Sequence, residues 1–435
     1  MITAEVRLWG RRIGAVSAPE EGGVAAFEYV PEFVHSGIEV SPLMMPLANT
    51  IYRFPELPWP TFHGLPGLLA DSLPDRFGNA LIDQWLAQQG RAPDSFSAVE
   101  RLCYIGQRGM GALEFAPTLG PRAQRASKIR LDALVRLASD ILSQREDLRG
   151  SFDSPAREKA LNDILRVGTS AGGARAKAVI AWNPHTHEVR SGQLEADDGF
   201  EYWLLKFDGV SGNRDRELDD PKGFGAIEYA YSLMARATGI EMSPSRLLEE
   251  HGRRHFMTRR FDRLPGGGKL HMQSLAALAH FDFNQANAHS YEQALQTIRR
   301  LDLPMSVLEE QFRRMLFNVV ARNQDDHVKN IAFLMDKQGV WSLAPAFDVT
   351  YSYNPSGDWT ARHQMSLNGK RDGFSLADFQ AVARSALLKR GRDRAILEEV
   401  LAAVAQWPAF AEQAGVPESW AGQISRQHRT GFPDA

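Results

Sequence analysis

Residues 200–207, FEYWLLKF, read as a strong β-strand whose alternation places Tyr202, Leu204 and Lys206 on one face and Trp203 and Leu205 on the other. A lysine on an apolar strand face restricts the fold, because an ammonium withdrawn from water without a partner is costly and must meet a carboxylate, a phosphate or both. The flanking sequence offers each. Upstream, GTSAGGARAK (168–177) lies between the apolar run ILRVG and the β-prone KAVIAW, so a Gly-rich loop between two strands is expected. Backbone N–H groups around Gly168, Gly172 and Gly173 could approach phosphate oxygens closely. Downstream, GAIEYAYSLMARATGI has Ile227, Ala230, Tyr231, Met234 and Ala237 at helical spacing and Gly239 as its stop, with Glu228 one position off the apolar stripe. A strand lysine, a helix glutamate and a Gly-rich strand-loop-strand ahead of them are the ATP-holding parts of a protein-kinase N-lobe. The loop is not a Walker A motif, since Ala174 stands where that motif requires lysine, nor a dinucleotide fingerprint, since a strand follows it.

The segment RNQDDHVKNIAFL (322–334) crowds acids, amides and bases ahead of an apolar run. A kinase catalytic loop needs a carboxylate to accept the proton of the attacked hydroxyl and, five residues on, an asparagine to hold magnesium. Asp325 and Asn330 have that spacing and Asp326 does not. IAFLMDKQGVWSLAPAFDV then reads as strand, turn and strand, a hairpin that returns Asp348 toward Asn330, where the two could share Mg²⁺ with ATP phosphates. Lys329 could neutralise a transferred phosphoryl group, and His327 could hydrogen-bond within the loop, the commoner role for such a histidine. His185 and His187 have metal-like spacing but sit in a polar turn with no third ligand nearby, so a solvated turn is the expectation there.

At 435 residues the chain should hold two or three units. A hydrophobic fraction of 43% and a charged fraction of 24% are those of a soluble globular protein. One cysteine, Cys103, rules out an intrachain disulfide or a Cys-rich zinc site and fits a reducing compartment. The N-terminal MITAEVRLWGRRIG lacks the apolar run of a signal peptide, and no stretch approaches the roughly 20 apolar residues of a membrane span, so a cytoplasmic location is expected. Net charge of −3 argues against global attraction to nucleic acid, and the basic cluster LKRGRDR (388–394) reads first as a solvated helix end.

EVRLWGRRIGAV reads as a β-hairpin turning at Trp9 and Gly10, VAAFEYV as a further strand, and the Pro-dense run 41–78 as an irregular packed segment. ALIDQWLAQQG looks helical, and so does 124–147, which a polar linker, 148–160, follows. The expected units are a β-rich N-terminal domain (1–117), a helix and linker (118–160), a kinase N-lobe (161–258) and a helical C-lobe carrying the catalytic loop (259–435). The fold class is α+β, a two-lobed protein-kinase-like fold with an extra N-terminal β-rich subdomain.

The chain resembles HipA-type serine/threonine kinases, the toxin component of bacterial type II toxin–antitoxin modules. SPLMMPL, GLLADSLPDRFGNALID and YIGQRGMGALEF look like that family's N-terminal domain, and SAGGARAK, LLKF, RRFDR, NQDDHVKN and LAPAFDV like successive motifs of its kinase core. The resemblance implies Asp325 as catalytic base, Asn330 and Asp348 as Mg²⁺ ligands, and Lys206 on the ATP phosphates. It implies Gly172, Gly173, Ala174, Arg175, Ala176 and Lys177 over those phosphates, and Arg259, Arg260 and Phe261 as the hinge against adenine. It further implies autophosphorylation of Ser170 that inactivates the kinase, and a HipB-like DNA-binding antitoxin through which operator DNA is reached indirectly. Its implied target is an aminoacyl-tRNA synthetase, glutamyl-tRNA synthetase in particular. Two other readings stay open on the residues: a small-molecule phosphotransferase on the same core, and a non-catalytic corepressor in an antitoxin–DNA complex.

Overall fold

The computed structural model describes residues 1–20, 22–120, 129, 131–143, 163–165, 167–168, 175–193, 197–210, 214–215, 218–219, 222–265 and 267–434. β1 (Ile2–Leu8) and β2 (Arg11–Ala18) form the expected hairpin, with Trp9 and Gly10 both at positive φ, the turn geometry that matches strand twist. With β3 (Ala26–Tyr29), β4 (Ile51–Tyr52) and β5 (Leu113–Ala116) they make an antiparallel sheet of order β4-β3-β2-β1-β5. Alternation along β1 buries Ala4, Val6 and Leu8 in a core of its own, shared with Phe27, Tyr29 and Phe115. A single helical turn follows β3 at Pro31–Val34, and the Pro-dense segment contributes two more, at Trp59–Phe62 and Gly67–Ala70.

Helix α1 (Arg76–Gln88) begins earlier than its apolar spacing alone marks, because Asp75 caps it by accepting a hydrogen bond from the Gly78 N–H at 2.6 Å. Helix α2 (Ala98–Ile105) follows with a complete Ser97/Glu100 capping box. Phe77 and Leu81 of α1 leave the first core and join a second one, where helix α3 (Leu131–Ser143) also packs. Here one expectation is corrected: where ILRVG was expected to start a strand, residues 163–165 are helical, and Ile164, Leu165 and Val167 bury with Phe77 and Leu81. A short apolar run serves either structure, and only its packing partner decides.

The second sheet contains β6 (Lys177–Trp182), β7 (Val189–Ser191) and β8 (Glu201–Lys206). A two-stranded ribbon, β9 (Arg214–Asp215) and β10 (Leu218–Asp219), precedes helix α4 (Phe224–Ala237). β11 (Ser245–Glu250) and β12 (Arg253–Arg259) complete the second sheet in the order β11-β12-β8-β6-β7. β13 (His271–Ser274), which sequence periodicity does not mark, pairs with β14 (Ala332–Met335), and β14 pairs with β15 (Trp341–Leu343). The remaining mass is helical: α5 (Leu275–Ala279), α6 (Tyr291–Arg300), α7 (Met305–Val320), α8 (Leu376–Ser385), α9 (Arg392–Val404), α10 (Trp407–Ala414) and α11 (Glu418–Gln427). The basic cluster lies at the start of α9, where Arg392 pairs with Glu309 and Glu399 while Lys389, Arg390 and Arg394 are exposed. Among the described residues no helix is long and apolar enough to cross a membrane.

The N-terminal sheet and its loops dock on the C-terminal part through polar contacts at buried and half-buried positions. Trp9 Nε1 donates to the Lys269 carbonyl at 2.7 Å, Gln273 Nε2 to the Val40 carbonyl at 2.9 Å, and Ser274 N–H to Asp71 at 2.7 Å. Gly67 packs so closely on α5 that an added Cβ would stand 2.3 Å from the Ala277 carbonyl oxygen, and its N–H donates to His280 Nε2 at 3.0 Å.

Burial holds three histidines of this scaffold neutral: desolvation lowers His271 to about 3, and His280 and His428 to about 4. Between the unfolded value of about 6.5 and those values, the unfolded chain takes up protons that the folded chain refuses, so stability falls as pH is lowered through that window. Urea unfolding at pH 7, 6 and 5 should show a decreasing midpoint; a midpoint constant over that range contradicts the assignment.

Candidate active site

Lys206 ends β8 on the face shared with Tyr202 and Leu204, which is less buried than the face of Trp203 and Leu205. Its Nζ donates to Glu228 Oε1 at 2.6 Å and to Asp348 Oδ1, so the strand, α4 and the segment after β15 meet at one ammonium. Burial opposes the charge on Lys206, but Asp348 and Glu228 outweigh it and hold the lysine above its ordinary range. Asp348 is correspondingly held well below the usual carboxylate range: burial acts to raise it, and Lys206 and Lys177 overcome that. Glu228, 2% exposed, is pushed up by burial, with Lys206 opposing. Asp348 adopts φ = 56°, a left-handed conformation that costs a residue with a Cβ about 1–3 kcal/mol and persists only where the surroundings impose it.

The loop between α7 and β14 is locked from several sides. The Asp325 N–H donates to Ser352 Oγ at 3.0 Å, and Asn330 Nδ2 donates to the Asp325 carbonyl at 2.9 Å, closing the five-residue spacing into a ring. That bond turns the Asn330 amide nitrogen inward and leaves its oxygen as the end able to meet a cation. The Asp325 side chain is part-exposed and accepts a 2.6 Å hydrogen bond from Trp359 Nε1. Its neighbour Asp326 is 3% exposed and fully engaged, accepting from Tyr291 Oη at 2.5 Å, His363 Nδ1 at 2.8 Å and the Gln364 N–H at 2.7 Å. Asp326 thus organises the loop, while the Asp325 carboxylate stays part-exposed. His327 Nε2 lies 3.8 Å from Asp325 Oδ1, and Lys329 Nζ sits 4.7 Å from the centroid of the Phe283 ring. His327, Asn330 and Asp348 line a cavity of about 30 Å³ together with Phe347 and Asn323.

Of the expected phosphate loop, Ser170, Gly172, Gly173 and Ala174 lie outside the described residues. Arg175 is buried, stacked 3.9 Å over the Phe224 ring and 3.6 Å from Glu228. The Ala176 carbonyl accepts from the Phe207 N–H, and Lys177 is directly opposite Lys206 across β6 and β8. At the expected hinge, Arg259 reaches Glu201 at 3.7 Å and Phe261 packs against Phe347. The Arg260 guanidinium forks onto Asp262 at 2.9 and 2.6 Å and its N–H donates to the Tyr202 carbonyl, so neither faces a base.

Two residues in this site have no counterpart in the sequence reading. Asp75 reaches Lys177 from the N-terminal sheet's side of the molecule. Trp359 sits in the polar run SGDWTARHQ, where only an aromatic among turn formers hints at a packed position. A hydrogen bond to a charged acceptor contributes about 1.5–3 kcal/mol, so in the base role expected for Asp325, Trp359→Phe should lower kcat about tenfold and leave KM for ATP unchanged. A raised KM for ATP with kcat unchanged would show that the indole acts on nucleotide binding instead.

A family model described as the HipA-like C-terminal domain matches residues 169–407, and one described as the HipA N-terminal domain matches residues 4–116. The chain belongs to the HipA family. Among curated proteins no sequence relative matches significantly. Among solved structures, a HipA from Shewanella oneidensis MR-1, determined with HipB and its operator DNA, aligns at a TM-score of 0.67 and 16% identity, covering 98% of this chain and 95% of that one. The two-lobed, kinase-like α+β fold is therefore that of HipA. The proinflammatory kinase CtkA of Helicobacter pylori aligns at a TM-score of 0.31 and 12% identity, over 52% of this chain and 92% of that one, too distant to bear on the site.

Proposed function

We propose that this HipA-family protein is an ATP- and Mg²⁺-dependent protein kinase that phosphorylates a serine or threonine hydroxyl. The observation that carries this reading is the bridge from Lys206 to Glu228 and Asp348, with Asp325 and Asn330 on one loop beside it. In a transfer, Lys206 and Lys177 bind the phosphates of ATP, and Asp325 accepts the proton of the attacked hydroxyl. Asp325 is held for this by Trp359 and by the Ser352 hydroxyl. Lys329 would offset charge on the transferred group, and His327 would shape the loop. The donor set of one carboxylate and one amide oxygen fits Mg²⁺, which takes few protein ligands and completes its shell with water and phosphate. Asn330 and Asp348 would hold it, and when bound it would neutralise charge building on the phosphates. In this reading the backbone beside Arg259 and the Phe261 ring would border the adenine.

By its family the protein acts as the toxin of a type II module in the cytoplasm, held by a HipB-like antitoxin and through it by operator DNA. Its target is an aminoacyl-tRNA synthetase, glutamyl-tRNA synthetase-like, whose phosphorylation halts translation and produces growth arrest or persistence. Phosphorylation of Ser170 switches it off, because a dianion on the small loop repels ATP phosphates. Intact-mass measurement with peptide mapping after incubation with Mg²⁺-ATP tests the reading: one phosphate gained on Ser170 in wild type and none in Asp325→Asn is expected. No gain in either, from protein that starts unphosphorylated and binds ATP, would overturn it.

A further inference from the structure

Lys177 opens β6 directly opposite Lys206 on β8, and the two side chains are only 2% and 11% exposed. Like charges facing each other across a strand pair repel, and a buried ammonium needs a counter-charge. Lys206 has Glu228 and Asp348. For Lys177 a carboxylate arrives from outside the kinase-like core: Asp75 Oδ2 stands 3.2 Å from its Nζ, with the aspartate side chain 5% exposed. The same aspartate caps α1 through the Gly78 N–H, and Phe77 and Leu81 of that helix anchor in the core behind β6 and β8. Its place relative to Lys177 is thereby set by packing as well as by charge.

We propose that Asp75 is a positioning residue of the nucleotide site, holding the Lys177 ammonium charged and aimed, so that the N-terminal domain supplies part of the phosphate-binding machinery. This rests on the kinase reading above. Burial pulls Lys177 down and pushes Asp75 up, and the attraction between the two opposes both shifts. Without the carboxylate, burial and the facing Lys206 act on the Lys177 ammonium with one counter-charge fewer. Arg175, Lys177 and Lys206 face Asp75, Glu228 and Asp348 in this cluster, so loss of one acid also redistributes the others.

The test is calorimetric binding of ATP, with and without Mg²⁺, to phosphatase-treated full-length wild type, Asp75→Asn, Lys177→Met and the double variant, each checked for its unfolding midpoint. Asparagine keeps the helix cap and removes only the charge, and Asp75→Ser, a second uncharged cap, must behave the same way. Asp75→Asn should raise the Kd for ATP by about tenfold or more, as removal of groups that orient a ligand-binding side chain does elsewhere. In the Lys177→Met background it should have no further effect, since the two act as one unit. Wild-type affinity in Asp75→Asn, or the same loss in both backgrounds, overturns the assignment while leaving the kinase reading intact. Failure of the wild type itself to bind ATP removes the kinase reading and this inference with it.

Discussion

Asp325→Asn is expected to lower the single-turnover rate of phosphoryl transfer by about 10²- to 10⁴-fold, the usual contribution of a general base. The fold should be unaffected. The amide oxygen of asparagine can still accept the Trp359 N–H, and the bonds from the Asp325 N–H to Ser352 and from Asn330 to the Asp325 carbonyl are made by the backbone. ATP affinity should also stay near wild type, because Asp325 is not among the groups around Lys206. The neighbouring substitution gives the contrast. Asp326→Asn replaces a buried carboxylate that three donors surround, so one donor faces an amide N–H and the loop loses its anchor. That variant should lose stability first and activity as a consequence. An Asp325→Asn protein that transfers phosphate at the wild-type rate would place the base elsewhere.

The second large effect is expected at Asp262. Its carboxylate is fully buried and receives Arg260 at 2.9 and 2.6 Å, Arg263 at 2.7 Å and the Gly111 N–H at 2.7 Å. Burial alone would raise its pKa, but the two guanidinium groups overcome this and hold it well below the usual carboxylate range. Removing one member of a buried ion group leaves the others charged and unpaired, which costs about 3–5 kcal/mol. Asp262→Ala should therefore show a lower denaturation midpoint by an amount of that order. Because Gly111 lies beside the N-terminal sheet, the variant should also expose the join between that sheet and the hinge to proteolysis. A carboxylate of depressed pKa contributes its stability above the unfolded value near 4 and loses it as pH falls, so the difference between wild type and Asp262→Ala should shrink in acid. A difference of less than about 1 kcal/mol at neutral pH would mean the pair merely offsets its own desolvation.

Much of the site was legible because each signal was local. The alternation of β8 placed Lys206 on one face with Tyr202 and Leu204, helical spacing set Glu228 one position off the apolar stripe of α4, where it is buried, and the Asp325–Asn330 spacing corresponds to the ring closed by the Asn330 side chain. The β1–β2 hairpin was marked by Trp9–Gly10, and the β14–β15 hairpin by its Asp-Lys-Gln-Gly turn. Where length and periodicity were ambiguous the reading failed: Ile164 and Leu165 sit in a helical turn packed against Phe77 and Leu81, and β13, four residues long, exists because β14 lies beside it.

By itself the sequence determined which residue types could do chemistry and in what order along the chain, because strand alternation, helical spacing and turn chemistry act over a few residues. Tertiary structure alone decided which of two adjacent aspartates is buried under three donors and which stays part-exposed, since that depends on Tyr291, His363 and Trp359, each more than 30 residues away. It likewise decided that Asp75 meets Lys177 across 102 positions of sequence. Electrostatic partnership between buried groups is set by where packing brings them, and no local pattern encodes that distance.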